Sequence, residues 1–190
     1  MAFTPGPNNI MIMTSGLNHG IRASLPQLAG IALGVPTMFI AVGLGLGVVF
    51  EMYPQLHGIV KIIGTLYLIY LAWQISQSSA GNGSESLAKP FTFLQTMLFQ
   101  WVNPKSWILV TTSIATFTAI GEHVLYQVII MSLFFVLIGF LSAGTWLCFG
   151  YSLKTLLKKT SYRRVFNIAM AVLLLVSILP ITLEIFDFSS

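Results

Sequence analysis

Residues 25–50 and 124–149 contain no Asp, Glu, Lys or Arg. A helix that crosses roughly 30 Å of hydrocarbon needs about 20 consecutive apolar residues, and each stretch is longer than that. The whole chain is 56% hydrophobic and 7% charged, where a soluble domain carries about 25% charged residues. A water-facing surface could not be built from so little charge. The chain therefore reads as an all-α integral membrane protein in a lipid bilayer. The formal charge of +4 does not point to nucleic acid, because most of the basic residues gather around one connection. No nucleic-acid partner is expected.

Further apolar segments fill the rest of the chain. The first covers about 2–17 and ends at Asn18-His19-Gly20-Ile21-Arg22. The second covers about 25–50, the third about 56–75, the fourth about 91–117, the fifth about 124–149 and the sixth about 165–185. Short polar connections lie at 51–54 and 119–123, and residues 151–164 read as a basic loop. Residues 76–89 hold the only linker-like composition, Ser78-Ser79-Ala80-Gly81-Asn82-Gly83-Ser84. The layout is one transmembrane domain over 1–190. It divides into a first repeat of about 1–75, the linker, and a second repeat of about 90–188.

The two halves share an unusual feature. Thr4-Pro5-Gly6-Pro7-Asn8-Asn9 opens the first, and Gln100-Trp101-Val102-Asn103-Pro104-Lys105 sits in the first segment of the second. Proline removes a backbone donor and clashes with the preceding turn, so both segments should be broken or kinked helices. Irregular backbone at membrane depth survives only where it faces protein or a water-filled cavity. Repeats of three spans insert in opposite orientations. Paired Pro/Gly interruptions in inverted halves point to a transporter's binding site. Only Met1 to Thr4 precede the first break. The first span is then either a short half-span or one that begins upstream of Met1. No signal peptide is expected, because neither a basic n-region nor a separate apolar h-region precedes the motif.

Charge gives an orientation. With six spans, Arg22, Lys89, Lys154, Lys158, Lys159, Arg163 and Arg164 all fall in the connections 1–2, 3–4 and 5–6. The positive-inside rule makes that side cytoplasmic and puts both ends of the chain outside.

With Lys61, near the start of the third segment, counted to the opposite connections, Lys105 is the one basic residue that this arrangement places within a span. A buried ammonium costs at least about 2.5–3.5 kcal/mol on insertion scales. It has two readings: a counter-charge for a substrate carboxylate, or a side chain snorkelling to an interface. Asn8, Asn9 and Asn103 offer both donors and acceptors. They either bind a polar ligand or repair the backbone groups freed by proline. The candidate substrate site is accordingly Pro5, Gly6, Pro7, Asn8, Asn9, Asn103, Pro104 and Lys105. Gln27, Gln95 and Gln100 either line a polar path or sit at interfaces. Thr111, Thr112, Ser113 and Thr116 read as hydroxyls bonded back to their own helix.

Enzyme and cofactor chemistry find no support. Cys148 is the single cysteine, which rules out an intrachain disulfide or a CxxC site. Glu51, Glu85, Glu122, Glu184 and Asp187 all lie at segment ends or in connections, and so do His19, His57 and His123. No metal or haem ligand set, HExxH or P-loop is present. Gly43-x-Gly45-x-Gly47 lacks the strand that a dinucleotide fingerprint requires. No cofactor, metal or catalytic residue is expected.

Several motifs together carry a family resemblance. They are Phe3 to Asn9, Gly30-x3-Gly34, Gly64 with Tyr67-Leu68 and Tyr70-Leu71-Ala72-Trp73, and Asn103-Pro104-Lys105. The chain resembles the LysE/RhtB amino-acid exporters over nearly its whole length, with the cysteine and O-acetylserine exporters as the most similar subgroup. The resemblance implies secondary-active export of amino acids or their derivatives across a bacterial cytoplasmic membrane, coupled to protons. It is compatible with a homo-oligomer. Family members generally carry more residues before the Thr-Pro-Gly-Pro motif, which points to a start upstream of Met1. The absence of mid-span carboxylates disfavours a dicationic substrate such as lysine. A passive channel for small polar solutes could use the same broken helices.

Overall fold

The computed structural model describes residues 2–78, 89–118 and 123–177, without the side chains at 49–51, 54 and 57. Every regular element among them is helical. In order these are α1 (Pro7–His19), α2 (Ile21–Ala41), α3 (Gly47–Met52), α4 (Pro54–Gln77), α5 (Phe93–Val102), α6 (Pro104–Phe117), α7 (Val124–Leu156) and α8 (Thr160–Val176). A π-helical stretch, Val42–Leu46, joins α2 to α3 and bends the chain at Gly45, whose φ of 102° favours glycine.

Three described helices are long and apolar enough to cross a membrane: Ile21–Leu46, Gly58–Gln77 and Val124–Leu156. Their outer faces are apolar. Ile62, Leu66 and Ile69 of α4 and Leu133, Phe134 and Leu137 of α7 are exposed. In water such contiguous faces would be an aggregation hazard; against lipid chains they carry no penalty.

The elements differ from the sequence expectation in several places. Pro7 starts α1 instead of interrupting it, because a proline at the first helical position gives up a donor that has no partner there anyway. Pro26 and Pro36 both lie inside α2. The stretch 151–164 is not a loop. Helix α7 continues to Leu156 and α8 begins at Thr160, leaving only Leu157 to Lys159 between them. Lys154 and Arg164 ride on exposed helix ends, Lys158 and Lys159 lie in the short connection, and Arg163 Nε donates to the Leu157 carbonyl at 2.8 Å. Helix α4 runs on to Gln77. The rest of the expected linker, the connection at 119–122 and the end of the sixth segment lie outside the described residues.

Helices α1 and α2 pack against α7, α2 also against α5, and α4 against α8. The α2–α5 contact depends on the Gly30-x3-Gly34 stripe. A Cβ on Gly30 would collide with the Thr96 hydroxyl and the Phe93 carbonyl, and one on Gly34 would lie 2.5 Å from Gln100 Cγ. Only bare backbone allows these helices so close. On the other side of α5, Phe99 packs with Met11, Leu68, Leu71 and Leu174, so α5 is clamped between α2 and the α4–α8 pair. Gly30→Val should therefore lower the unfolding midpoint in detergent by several degrees, from overpacking of about 1–3 kcal/mol. Gly58→Ala, where a Cβ meets nothing within 4 Å, should leave it unchanged or raise it. Scanning fluorimetry on the purified variants measures both.

Candidate functional site

The two proline motifs come together. Asn103 has an extended backbone and ends α5, and its side-chain oxygen accepts from the Lys105 amide at 3.1 Å, capping α6. Pro104 occupies the first position of α6. This arrangement starts a new helix where the old one stops and aims Lys105 away from its own helix. The Lys105 Nζ donates to the Thr4 carbonyl at 2.9 Å, the Thr4 hydroxyl at 2.7 Å and the Pro5 carbonyl at 3.2 Å. Its stem crosses directly over Gly6, where a Cβ would lie 2.9 Å from both Cδ and Nζ. Glycine is needed there for close approach, not for backbone conformation.

Asn9 completes the repair of the first motif. Its amide donates to the Ala2 carbonyl at 2.8 Å and to the Thr4 carbonyl at 2.9 Å. Ser142 of α7 also donates to the Ala2 carbonyl, at 2.8 Å. Asn8 points the other way, into a reciprocal amide pair with Gln100. Asn8 Nδ2 donates to Gln100 Oε1 at 2.8 Å and Gln100 Nε2 donates back to Asn8 Oδ1 at 3.0 Å. Gln100 Oε1 also accepts from the Ser106 hydroxyl at 2.9 Å, and its Nε2 donates to the Thr96 carbonyl at 2.8 Å. Both amide orientations follow from this network.

These contacts line one wall of a cavity of about 590 Å³, open solvent at its mouth included. Gly6, Asn8, Asn9, Asn103, Lys105 and Ser106 supply its polar part. Ile31 and Val35 of α2, Leu109 of α6, and Phe135 and Ile138 of α7 supply the apolar remainder. Pro5, Pro7 and Pro104 do not line it; they set the backbone on which the lining residues stand. None of the five carboxylates of the chain falls among the described side chains, so the described partners of the Lys105 ammonium are neutral oxygens. No group of His, Cys, Asp and Glu able to hold a metal occurs among the described residues.

Gln100, Ser106 and Ser142 belong to this constellation beyond the motif residues. Gln100 carried a signal as a polar residue in an apolar segment at the edge of the second motif. Nothing local marked the serines, which the fold brings in from α6 and α7. Gln95 has a different role: with Thr92 it forms a capping box at the start of α5. The Thr111 hydroxyl bonds back to the Trp107 carbonyl at 2.8 Å, as expected.

Residues 1–179 match the LysE type translocator family. The chain belongs to that family. It is 33% identical over 184 residues to the cysteine/O-acetylserine efflux protein of Klebsiella pneumoniae, covering 96% of this chain and 92% of that protein. It is 31% identical over 174 residues to the cysteine/O-acetylserine efflux protein of Escherichia coli K12, covering 91% and 87%. No solved structure gives a significant match. For this LysE-type chain, the site chemistry to be explained is that of a transporter and not of an enzyme.

The reciprocal amide pair should be energetically coupled. Asn8→Ala and Gln100→Ala should each destabilise the protein. The double variant should cost less than the sum by about 1–2 kcal/mol, the upper range for hydrogen bonds between membrane helices. A double-mutant cycle on unfolding in detergent reads this directly.

Proposed function

We propose that this protein exports a small zwitterionic amino acid or derivative from the bacterial cytoplasm, by alternating access around the cavity at the two proline motifs. The observation that carries the reading is Lys105. Its ammonium stands in the cavity wall and is held by the Thr4 and Pro5 oxygens. A substrate carboxylate would replace neutral acceptors with a charged one, and charge-assisted hydrogen bonds are roughly twice as strong. Once Lys105 turns to the carboxylate, the Pro5 carbonyl loses the Lys105 donor and can accept from a substrate ammonium. The apolar wall of Ile31, Val35, Leu109 and Phe135 would receive a short uncharged side chain. Cysteine and O-acetylserine, named for the relatives, are therefore the first substrates to test.

The packing supports six spans in two inverted repeats. Motif meets motif, α2 lies against α7, and α4 lies against α8. In each case an element of the first half pairs with its counterpart in the second. The basic connections support a cytoplasmic placement of one end. The Gly20 corner between α1 and α2 lies near Tyr151 in the last turns of α7, and Lys89 shares a pocket with His19. Coupling to the proton gradient rests on the family resemblance.

Efflux from cells preloaded with cysteine or O-acetylserine, with and without a protonophore, tests the function. Protonophore-sensitive efflux is expected; efflux that only follows the concentration gradient would replace the exporter with a channel. Lys105→Ala should reach the membrane in normal amount and lose about 10–100-fold in export, the worth of one hydrogen bond to a charged group at about 1.5–3 kcal/mol. Export at the normal rate would remove Lys105 from the site.

A further inference from the structure

Gln27 is fully buried, and neither its side-chain oxygen nor its side-chain nitrogen has a hydrogen-bond partner among the described residues. An unpaired buried amide costs about 1–3 kcal/mol, and native structures rarely retain one without a reason. The position of Gln27 supplies the reason. One turn further along α2, Ile31 lines the cavity beside Lys105. One turn back, the Ser24 hydroxyl shares a 2.7 Å hydrogen bond with that of Ser15 on α1. Ser15 lines a second, smaller cavity of about 250 Å³, with Thr14, Asn18, His19, Gln74 and Lys89. The two cavities are thus separated along α2 by about two turns, some 10 Å, and Gln27 stands in the interval.

The interval is a polar seam between packed helices. Gln100 Nε2 donates to the Thr96 carbonyl at 2.8 Å, and the Thr96 hydroxyl, shared with the Thr92 and Phe93 carbonyls at 3.0 and 3.1 Å, lies 3.3 Å from the Gln27 carbonyl. Ser24 and Ser15 continue the seam to the second cavity. An ordinary lipid-protein core would fill this space with apolar side chains. Here hydroxyls and amides run from the Asn8–Gln100 pair to the cavity that contains Lys89.

We infer that the two cavities are the ends of one path for a zwitterionic solute, and that Gln27 is the gate residue at the closed barrier between them. The inference rests on the export reading above. In the arrangement seen here the α1–α2–α5 seam is shut and the amide is idle. When the seam parts, Gln27 Nε2 donates to the solute carboxylate and Oε1 accepts from its ammonium. The cost of the idle amide is thereby recovered in the transit state, which lowers the barrier to passage.

Gln27→Met is the discriminating variant, because it keeps the length and volume of the side chain and deletes both polar atoms. A residue of merely structural value would lose stability on that change. Removal of an idle amide should instead leave the unfolding midpoint in detergent unchanged or raised. Maximal efflux of O-acetylserine should fall about thirtyfold, the worth of two hydrogen bonds of about 1 kcal/mol each at about 1.4 kcal/mol per factor of ten. O-acetylserine binding to the purified protein, set by the Lys105 cavity, should stay within about twofold of normal. Gln27→Asn, which keeps the amide, should recover part of the rate. Wild-type protein that exports nothing would overturn the export reading and the gate with it. Wild-type export matched by Gln27→Met would overturn the gate alone, as would a loss of export that merely tracks a lowered unfolding midpoint.

Discussion

The hydrogen bonds from Lys105 to Thr4 and Pro5 meet two needs with one contact. The non-helical stretch before Pro7 leaves carbonyls without helical donors, and an apolar environment makes such groups expensive. An ammonium in the same environment is more expensive still. Each supplies what the other lacks. The contact also ties the start of the first half of the chain to the middle of the second. The surrounding polar network then follows. Asn9 takes the Ala2 and Thr4 carbonyls that Lys105 leaves partly unmet, Ser142 adds a bond from α7, and Asn8 faces Gln100. The helices pack around this junction because the groups within it cannot be satisfied separately.

On the export reading, a junction of this kind suits binding because the described partners of the Lys105 ammonium are neutral oxygens. A buried lysine paired to a fixed carboxylate would be tightly held, and a substrate would have to break that pair. Lys105 instead holds acceptors that a carboxylate can outcompete. The same exchange would leave the Pro5 carbonyl open to an ammonium. One rearrangement of a single side chain would thus produce complementarity to both ends of a zwitterion. A dicationic substrate would gain nothing comparable, since no described side chain in the cavity wall carries negative charge.

The sequence made the motifs legible because proline and lysine are conspicuous in an apolar chain, and physical rules say what each must find. Lys105 had to reach a partner or an interface, and the structure takes it to Thr4. Gly30 and Gly34 were legible for the same reason: their spacing lies on one helix face, and α5 occupies it. What escaped was information held in the tertiary arrangement. Ser106 and Ser142 look like any membrane-helix hydroxyl until α6 and α7 are placed beside α1. The misread loop at 151–164 has a simpler cause. Lys154 and Arg163 look like loop residues in a hydropathy pattern, yet helix ends that project beyond the apolar layer tolerate charge readily. The proline in the middle of α2 shows the converse limit. Pro36 removes a donor from the Ala32 carbonyl, yet α2 passes through it, with Gly139 of α7 packed close against Ala32. Tertiary packing overrides a local breaker there.

Polar groups in this protein fall into two kinds, and the distinction bears on how a transporter can move at all. Asn18 and Asn167 form a reciprocal pair between α1 and α8, at 3.0 and 3.2 Å, as Asn8 and Gln100 do between α1 and α5. Such fully paired amides fix helices in register, because separation would strand both partners in an apolar medium. Gln27 is unpaired, so separating the helices around it breaks no side-chain bond of its own. A seam that must open should be lined by groups with little to lose, while the elements that move as bodies should be held by groups with much to lose. Helix α1 carries paired amides near both its ends, and α2 carries the unpaired one in the seam that faces it. On the export reading, the amide pairs favour motion that keeps α1 attached to α5 and α8 and shifts α2 locally, with the Ser15–Ser24 hydrogen bond between α1 and α2 having to give.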